Sequence, residues 1–188
     1  LGNGDGTFQD SISIPVPSLS SLKTGDFNGD GIADLVTSDY SGMGTDAISV
    51  LLGNGDGTFE SRIVTDGAIF WSNDDLGVAD FNGDGVQDVI VVEANGDGIF
   101  DVFLGNGDGT FQDTVNYAVG GSSWSVAIGD LNRDGDLDLA VANIGSDDVS
   151  VLLGTGAGTF QGAVTYAVGD VPMSVARGDL NWAGDPDL

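Results

Sequence analysis

Three stretches of the chain place oxygen-bearing side chains at the spacing a hard metal ion requires. Asp26, Asn28, Asp30, Gly31 and Asp34 stand at relative positions 1, 3, 5, 6 and 9 of a loop. The same residue types recur as Asp80, Asn82, Asp84, Gly85 and Asp88, and again as Asp130, Asn132, Asp134, Gly135 and Asp138. Alternate oxygen ligands on a tight loop converge on one point, and a glycine at position 6 permits the turn that brings the later ligands back. An all-oxygen donor set of this kind selects a hard cation, and calcium is the expected one.

The spacing resembles the start of an EF-hand loop, which closes with a bidentate Glu at position 12. Here position 12 holds Thr37, Val91 or Val141, and the residues after each loop are short β-branched runs that favour strands over helices. Asp34, Asp88 and Asp138 are therefore expected to close the loops, with the carbonyls of Ile32, Val86 and Asp136 at position 7. An Asx-rich turn holding no metal uses the same residue types, but three copies with three carboxylates each favour the metal. A fourth copy offers Asp179, Asn181, Asp185 and Asp187, with Ala183 in place of the position 5 acid and Pro186 at position 8. It is expected to bind more weakly or not at all.

Composition supports loop chemistry. The chain has 188 residues, 30 acids against 4 basic residues and a formal charge of -26. All but Glu60 and Glu93 of those acids are Asp, whose short stem reaches its own backbone or a bound ion. Such a charge strains a compact state by self-repulsion and argues against nucleic acid or an anionic membrane as partner. Divalent ions relieve that repulsion, so cation binding and folding should be linked. The absence of Cys and His excludes disulfides, thiolate zinc sites, His acid–base catalysis and Cys nucleophiles. Weak calcium modules are typical outside the cell, so an extracellular or cell-surface (secreted) protein is expected. No apolar stretch of membrane-spanning length is present, so no membrane insertion is expected.

The elements that must hold these loops repeat with them. LGNGDGTF occupies residues 1–8, 52–59 and 104–111, and LGTGAGTF occupies residues 153–160. This motif steps by 51, 52 and 49 residues and the acidic loops by 54, 50 and 49, so the two interleave on one period. In the third unit the pattern predicts strands over residues 124–129, 139–143, 148–153 and 160–168, with the acidic loop after the first and a Gly-rich turn over 154–158. Four short antiparallel strands per unit make a propeller blade. The division is 1–17, the last strand of a preceding blade; 18–68, 69–120 and 121–169, three blades; and 170–188, the start of a fourth. The end segments, residues 8–16 and 173–180, are expected to be strands able to pair across the break or with another chain. Closed propellers need at least four blades, which favours a piece of a larger parent protein.

Other features read more simply. The Gly-x-Gly-x-Gly stretches are hairpin turns and not phosphate cradles, which need a following helix. Asn54, Asp56, Asn106 and Asp108 are weak candidates for an added ion ligand. Glu93, Asn95, Asp97, Gly98 and Asp101 also fit the loop spacing, although a plain hairpin explains them. The pairs Asp74 with Asp75 and Asp147 with Asp148 are poorly placed for glycoside hydrolysis, because adjacent strand residues point to opposite faces. No enzymatic activity is expected. Among Trp71, Trp124, Trp182, Tyr117 and Tyr166, packing between blades is favoured over a glycan platform.

Taken together, GDFNGDGIADLV, ADFNGDGVQDVIV and GDLNRDGDLDLAV with LGNGDGTF resemble the FG-GAP and VCBS-type repeats of the integrin α-subunit-like β-propeller family. The resemblance implies an all-β fold, a calcium ion between the first and second strands of each blade and about seven blades per ring. It also implies a module for adhesion, or for binding an extracellular protein or glycan. The alternatives are a surface or filament protein assembled by chain-to-chain strand pairing, and a noncatalytic part of a larger secreted enzyme.

Overall fold

The computed structural model describes residues 2–16, 19–39, 47–66, 75–94, 96, 98–179 and 187–188. The described residues contain no helix. Twelve strands form three sheets, each antiparallel throughout and each running from first to fourth strand in chain order. The first sheet comprises β1 (Leu19–Gly25), β2 (Asp34–Asp39), β3 (Ala47–Leu51) and β4 (Ile63–Asp66). The second comprises β5 (Asp75–Ala79), β6 (Asp88–Val92), β7 (Ile99–Phe103) and β8 (Val115–Ala118). The third comprises β9 (Ser123–Gly129), β10 (Asp138–Asn143), β11 (Asp148–Leu152) and β12 (Val164–Ala167). These are propeller blades, and β1 lies against β5 as β5 lies against β9.

The core lies between consecutive blades. Side chains alternate across a strand, so β6 sends Val89 and Val91 toward the first blade and Ile90 and Val92 toward the third. The first interface joins Phe27, Val36, Ile48 and Val50 to Leu76, Val89, Val91 and Phe103. The second joins Phe81, Ile90, Val92, Phe100 and Val102 to Leu139, Val141, Leu152 and Phe160. Covered on both faces, β6 is buried along its whole length, which is why its sequence after Asp88 is an unbroken apolar run. Each such side chain contributes about 1.5–3 kcal/mol when fully buried.

Two expectations at the ends are corrected. Residues 9–16 form no strand, and residues 173–177 form none either. Phe8 bridges only to Gly2 of its own turn, and Gly178 only to Asp187 of its own loop. A strand is held by ladder partners, and among the described residues neither segment has a neighbouring strand. The fourth strand of the third blade also begins later than expected, at Val164, because Phe160 pairs with Gly154 to close the preceding turn.

One polar position recurs inside each blade, where the end of the second strand faces the third. In the first blade Asp39 accepts from Thr37 Oγ1 at 2.9 Å and Ser49 Oγ at 2.5 Å, and pairs with Arg62. In the third, Asn143 Nδ2 donates to Asp148 Oδ1 at 2.7 Å and Ser150 Oγ at 2.9 Å. In the second, Glu93 and Asp101 hydrogen-bond each other, 5% and 1% exposed, with Asn116 donating to Asp101. Burial pushes the Asp101 carboxyl up, against the bonds from Glu93 and Asn116 that pull it down.

Candidate metal centre

The three acidic loops join the first to the second strand of each blade, and their internal hydrogen bonds are nearly superimposable. In the first, Asp26 Oδ1 accepts the Gly29 N–H at 2.7 Å and Oδ2 accepts the Gly31 N–H at 2.9 Å. Asn28 Oδ1 accepts from Asp30 N at 3.1 Å, and Asp30 Oδ1 accepts from Ile32 N at 2.7 Å. Asp80, Asn82 and Asp84 make the same set with Gly83, Gly85 and Val86. Asp130, Asn132 and Asp134 do so with Arg133, Gly135 and Asp136. The position 6 glycines Gly31, Gly85 and Gly135 have φ of 81°, 86° and 93°, the left-handed backbone that the turn demands. Position 4 needs it too: Gly29 and Gly83 have φ of 73°, and Arg133 adopts 66°.

Position 9 behaves differently from the sequence reading of a closing ligand alone. Asp34, Asp88 and Asp138 are 0% exposed. Asp34 accepts the Phe27 N–H at 2.8 Å on one oxygen and the Gly53 N–H at 2.7 Å on the other. Asp88 takes Phe81 at 2.9 Å and Gly105 at 2.8 Å, and Asp138 takes Leu131 at 2.7 Å and Gly154 at 2.8 Å. Each thus ties its own loop to the Gly-rich turn of its blade. Burial holds Asp88 above the ordinary aspartate range, opposed by its two N–H bonds and reinforced by the charges of Asp84 and Asp80. Exposed Asp134 is held below that range, chiefly by the Asp136 N–H and then by Asn132.

The donor set of each loop is three carboxylates, an amide oxygen and a main-chain carbonyl, which fits a hard cation. Among the described residues no three Asp, Glu, His or Cys side chains converge as a ready-made metal cluster. The position 1 and 5 acids are turned onto loop N–H groups. An ionised carboxylate has about four lone-pair sites, so oxygens taking one N–H retain capacity for a cation.

The Gly-rich turns account for their own polar residues. Asp56 Oδ1 accepts the Thr58 N–H at 2.9 Å and hydroxyl at 2.6 Å, and Asn54 Nδ2 donates to Thr58 Oγ1 at 2.9 Å. Asn106 and Asp108 repeat this with Thr110. The turns of the second and third blades also reach the preceding blade: Gly109 N donates to the Phe27 carbonyl at 3.0 Å, and Gly158 N to the Phe81 carbonyl at 3.0 Å. Sequence reading missed this link.

In the fourth copy, Asn181 and Asp185 lie outside the described residues, as do Ala183 and Pro186. Asp179 is exposed, and the Gly178–Asp187 bridge repeats the Gly25–Asp34 pairing. Asn95 and Asp97 of the second-unit hairpin, Trp71, Trp182 and Asp74 also lie outside. Tyr117 stacks on Phe100 at 5.2 Å and meets Phe160 of the next blade edge-on at 5.5 Å, so it packs between blades. Its counterpart Tyr166 is 56% exposed. Asp75 pairs with Lys23 of the first blade at 3.1 Å and accepts from Val126 N of the third at 3.3 Å. Asp147 and Asp148 likewise hold Val171 N and Asn143.

The comparisons can be set beside this geometry. The model of the FG-GAP-like repeat matches residues 26–91, 80–141 and 130–188. No curated protein matches the chain. Among solved structures the chain is similar to the Tc holotoxin pore of Photorhabdus luminescens, with 18% identity and a TM-score of 0.47. That similarity covers 79% of this chain and 7% of that one. Each family match begins at the first Asp of an acidic loop, and the first two run into the strands of the following blade; together they span most of the sequence, so the chain belongs to the FG-GAP-like repeat family.

Proposed function

We propose that this chain is a calcium-stabilised extracellular repeat module for adhesion or for binding a protein or glycan ligand, without enzymatic activity. The observation that carries the reading is the threefold recurrence of one loop conformation around three carboxylates and an amide oxygen. Asp26, Asn28, Asp30, Asp34 and the Ile32 carbonyl would hold the first ion, and the matching residues of the other loops the second and third. A bound cation supplies positive charge against carboxylates that otherwise repel one another across the loop. The protein's own part is to keep those oxygens on one short turn between two paired strands. Loops carried on such a rigid scaffold are where ligand recognition concentrates.

Thermal unfolding in calcium and after thorough chelation tests it. The melting temperature is expected to fall on chelation and to recover with calcium more than with magnesium, which demands a tighter octahedral site. A melting curve indifferent to chelator would refute the calcium reading.

A further inference from the structure

The buried position 9 acids and the blade-spanning turns form one continuous series of hydrogen bonds through all three blades. Gly53 and Phe27 donate to Asp34, and the Phe27 carbonyl accepts from Gly109. Gly109 closes the turn that Gly105 opens, and Gly105 donates to Asp88, which also holds Phe81. The Phe81 carbonyl accepts from Gly158, whose turn begins at Gly154, the donor to Asp138. The turns themselves are stiff: Asn106 N donates to the Thr110 carbonyl at 2.9 Å, and its side chain to Thr110 Oγ1 at 2.9 Å. Gly105 and Gly109 therefore move together.

We propose that this relay couples the acidic loops, so that a cation bound in one loop docks the next blade and raises the cation affinity of the next loop. The inference rests on the calcium reading and concerns its regulation. A cation drawing on Asp26, Asp30 and Asp34 fixes Phe27, the residue next to Asp26 whose carbonyl seats Gly109. That seat sets the turn carrying Gly105, and hence the carboxylate of Asp88 in the second loop. Rigid elements joined by hydrogen bonds carry coupling of this kind. Electrostatics alone gives the opposite sign, because each bound cation lowers the negative potential that attracts the next. Positive coupling is therefore diagnostic.

The experiment is calorimetric calcium titration of the full chain in about 0.15 M salt, where the Debye length is about 8 Å, with amide exchange followed at Gly109 and Gly158. Wild type is expected to bind with positive cooperativity and to slow exchange at both amides. Asp84→Ala is expected to lose one strong site, to weaken the remaining sites at least about fivefold and to speed exchange at Gly158. Asp30→Ala, at an exposed residue, gives the same reading at the first loop and speeds Gly109 more than Gly158. It serves if Asp84→Ala does not fold. Asp113→Asn, which removes one exposed charge outside the relay, is expected to leave the cooperativity and both amides unchanged. Independent sites, or loss of one site with the others unaltered, overturn the relay while leaving calcium binding in place. Absence of calcium uptake at every loop overturns both.

Discussion

Asp34, Asp88 and Asp138 are fully enclosed carboxylates that, among the described residues, meet no basic side chain. Backbone N–H groups on both oxygens take the place of a counter-charge. Such an acid is a structural tie before it is a ligand, and an amide cannot replace it, because one of the two N–H groups would then face another donor. With chelator present, Asp138→Asn is therefore expected to lower stability in urea unfolding by about 1–3 kcal/mol, the usual cost of a buried group left unsatisfied. Asp134→Asn, at an exposed position 5, should cost far less under chelation and show its main effect only when calcium is restored. Equal losses for the two variants would contradict the division of labour between positions 5 and 9. The sequence makes the loop residues legible because their spacing is local. The second partner of each position 9 acid is not, because Gly53, Gly105 and Gly154 are brought near only after the intervening strands have paired.

The Gly-rich turns show the same limit for whole elements. Their glycines announce hairpins, and the backbone agrees, with φ of 79° at Gly55 and 89° at Gly57. What the pattern does not announce is that the last glycine of a turn is also a contact between blades. A Cβ at Gly109, φ 84°, would stand 2.8 Å from Ile63 Cδ1, whereas one at Gly6, φ 90°, would meet nothing within 4 Å. Both sites share the strain of a left-handed backbone, about 1–3 kcal/mol for a residue other than glycine. Gly109→Ala is expected to cost about 1 kcal/mol more than Gly6→Ala, the low end of the overpacking penalty because the crowding Ile63 Cδ1 is the movable end of a side chain, with thermal melts of the two variants as the comparison. Strand content was the more legible part. The strands β9 to β11 fall within one residue of the expectation from alternation and β-branching. The fourth strand came out shorter because Phe160 is used to close a turn and to pack against Phe81, Phe100 and Tyr117.

At the scale of the molecule, the period of the two interleaved motifs was enough to infer blades, because each blade buries its faces against its neighbours and so must repeat their pattern. The end segments defeated that inference, since strand residues do not make a strand without partners. The polar position inside each blade was also illegible, for the opposite reason: its residue types do not repeat. Asp39 with Arg62, Glu93 with Asp101, and Asn143 with Ser150 solve one burial problem in three chemistries. The buried acid pair of the second blade ties its stability to pH. A carboxyl held above its unfolded value, as Asp101 is, contributes stability that is fully present below that value and is lost as pH rises through the folded one. In a chelated sample, the protection of the β7 amides, corrected for intrinsic exchange, is thus expected to fall relative to that of β3 and β11 as pH rises from acid to neutral. An equal change in all three strands would count against this. A buried acid that prefers to keep its proton would then make the second blade a recorder of pH, tightest in sour water and looser in neutral.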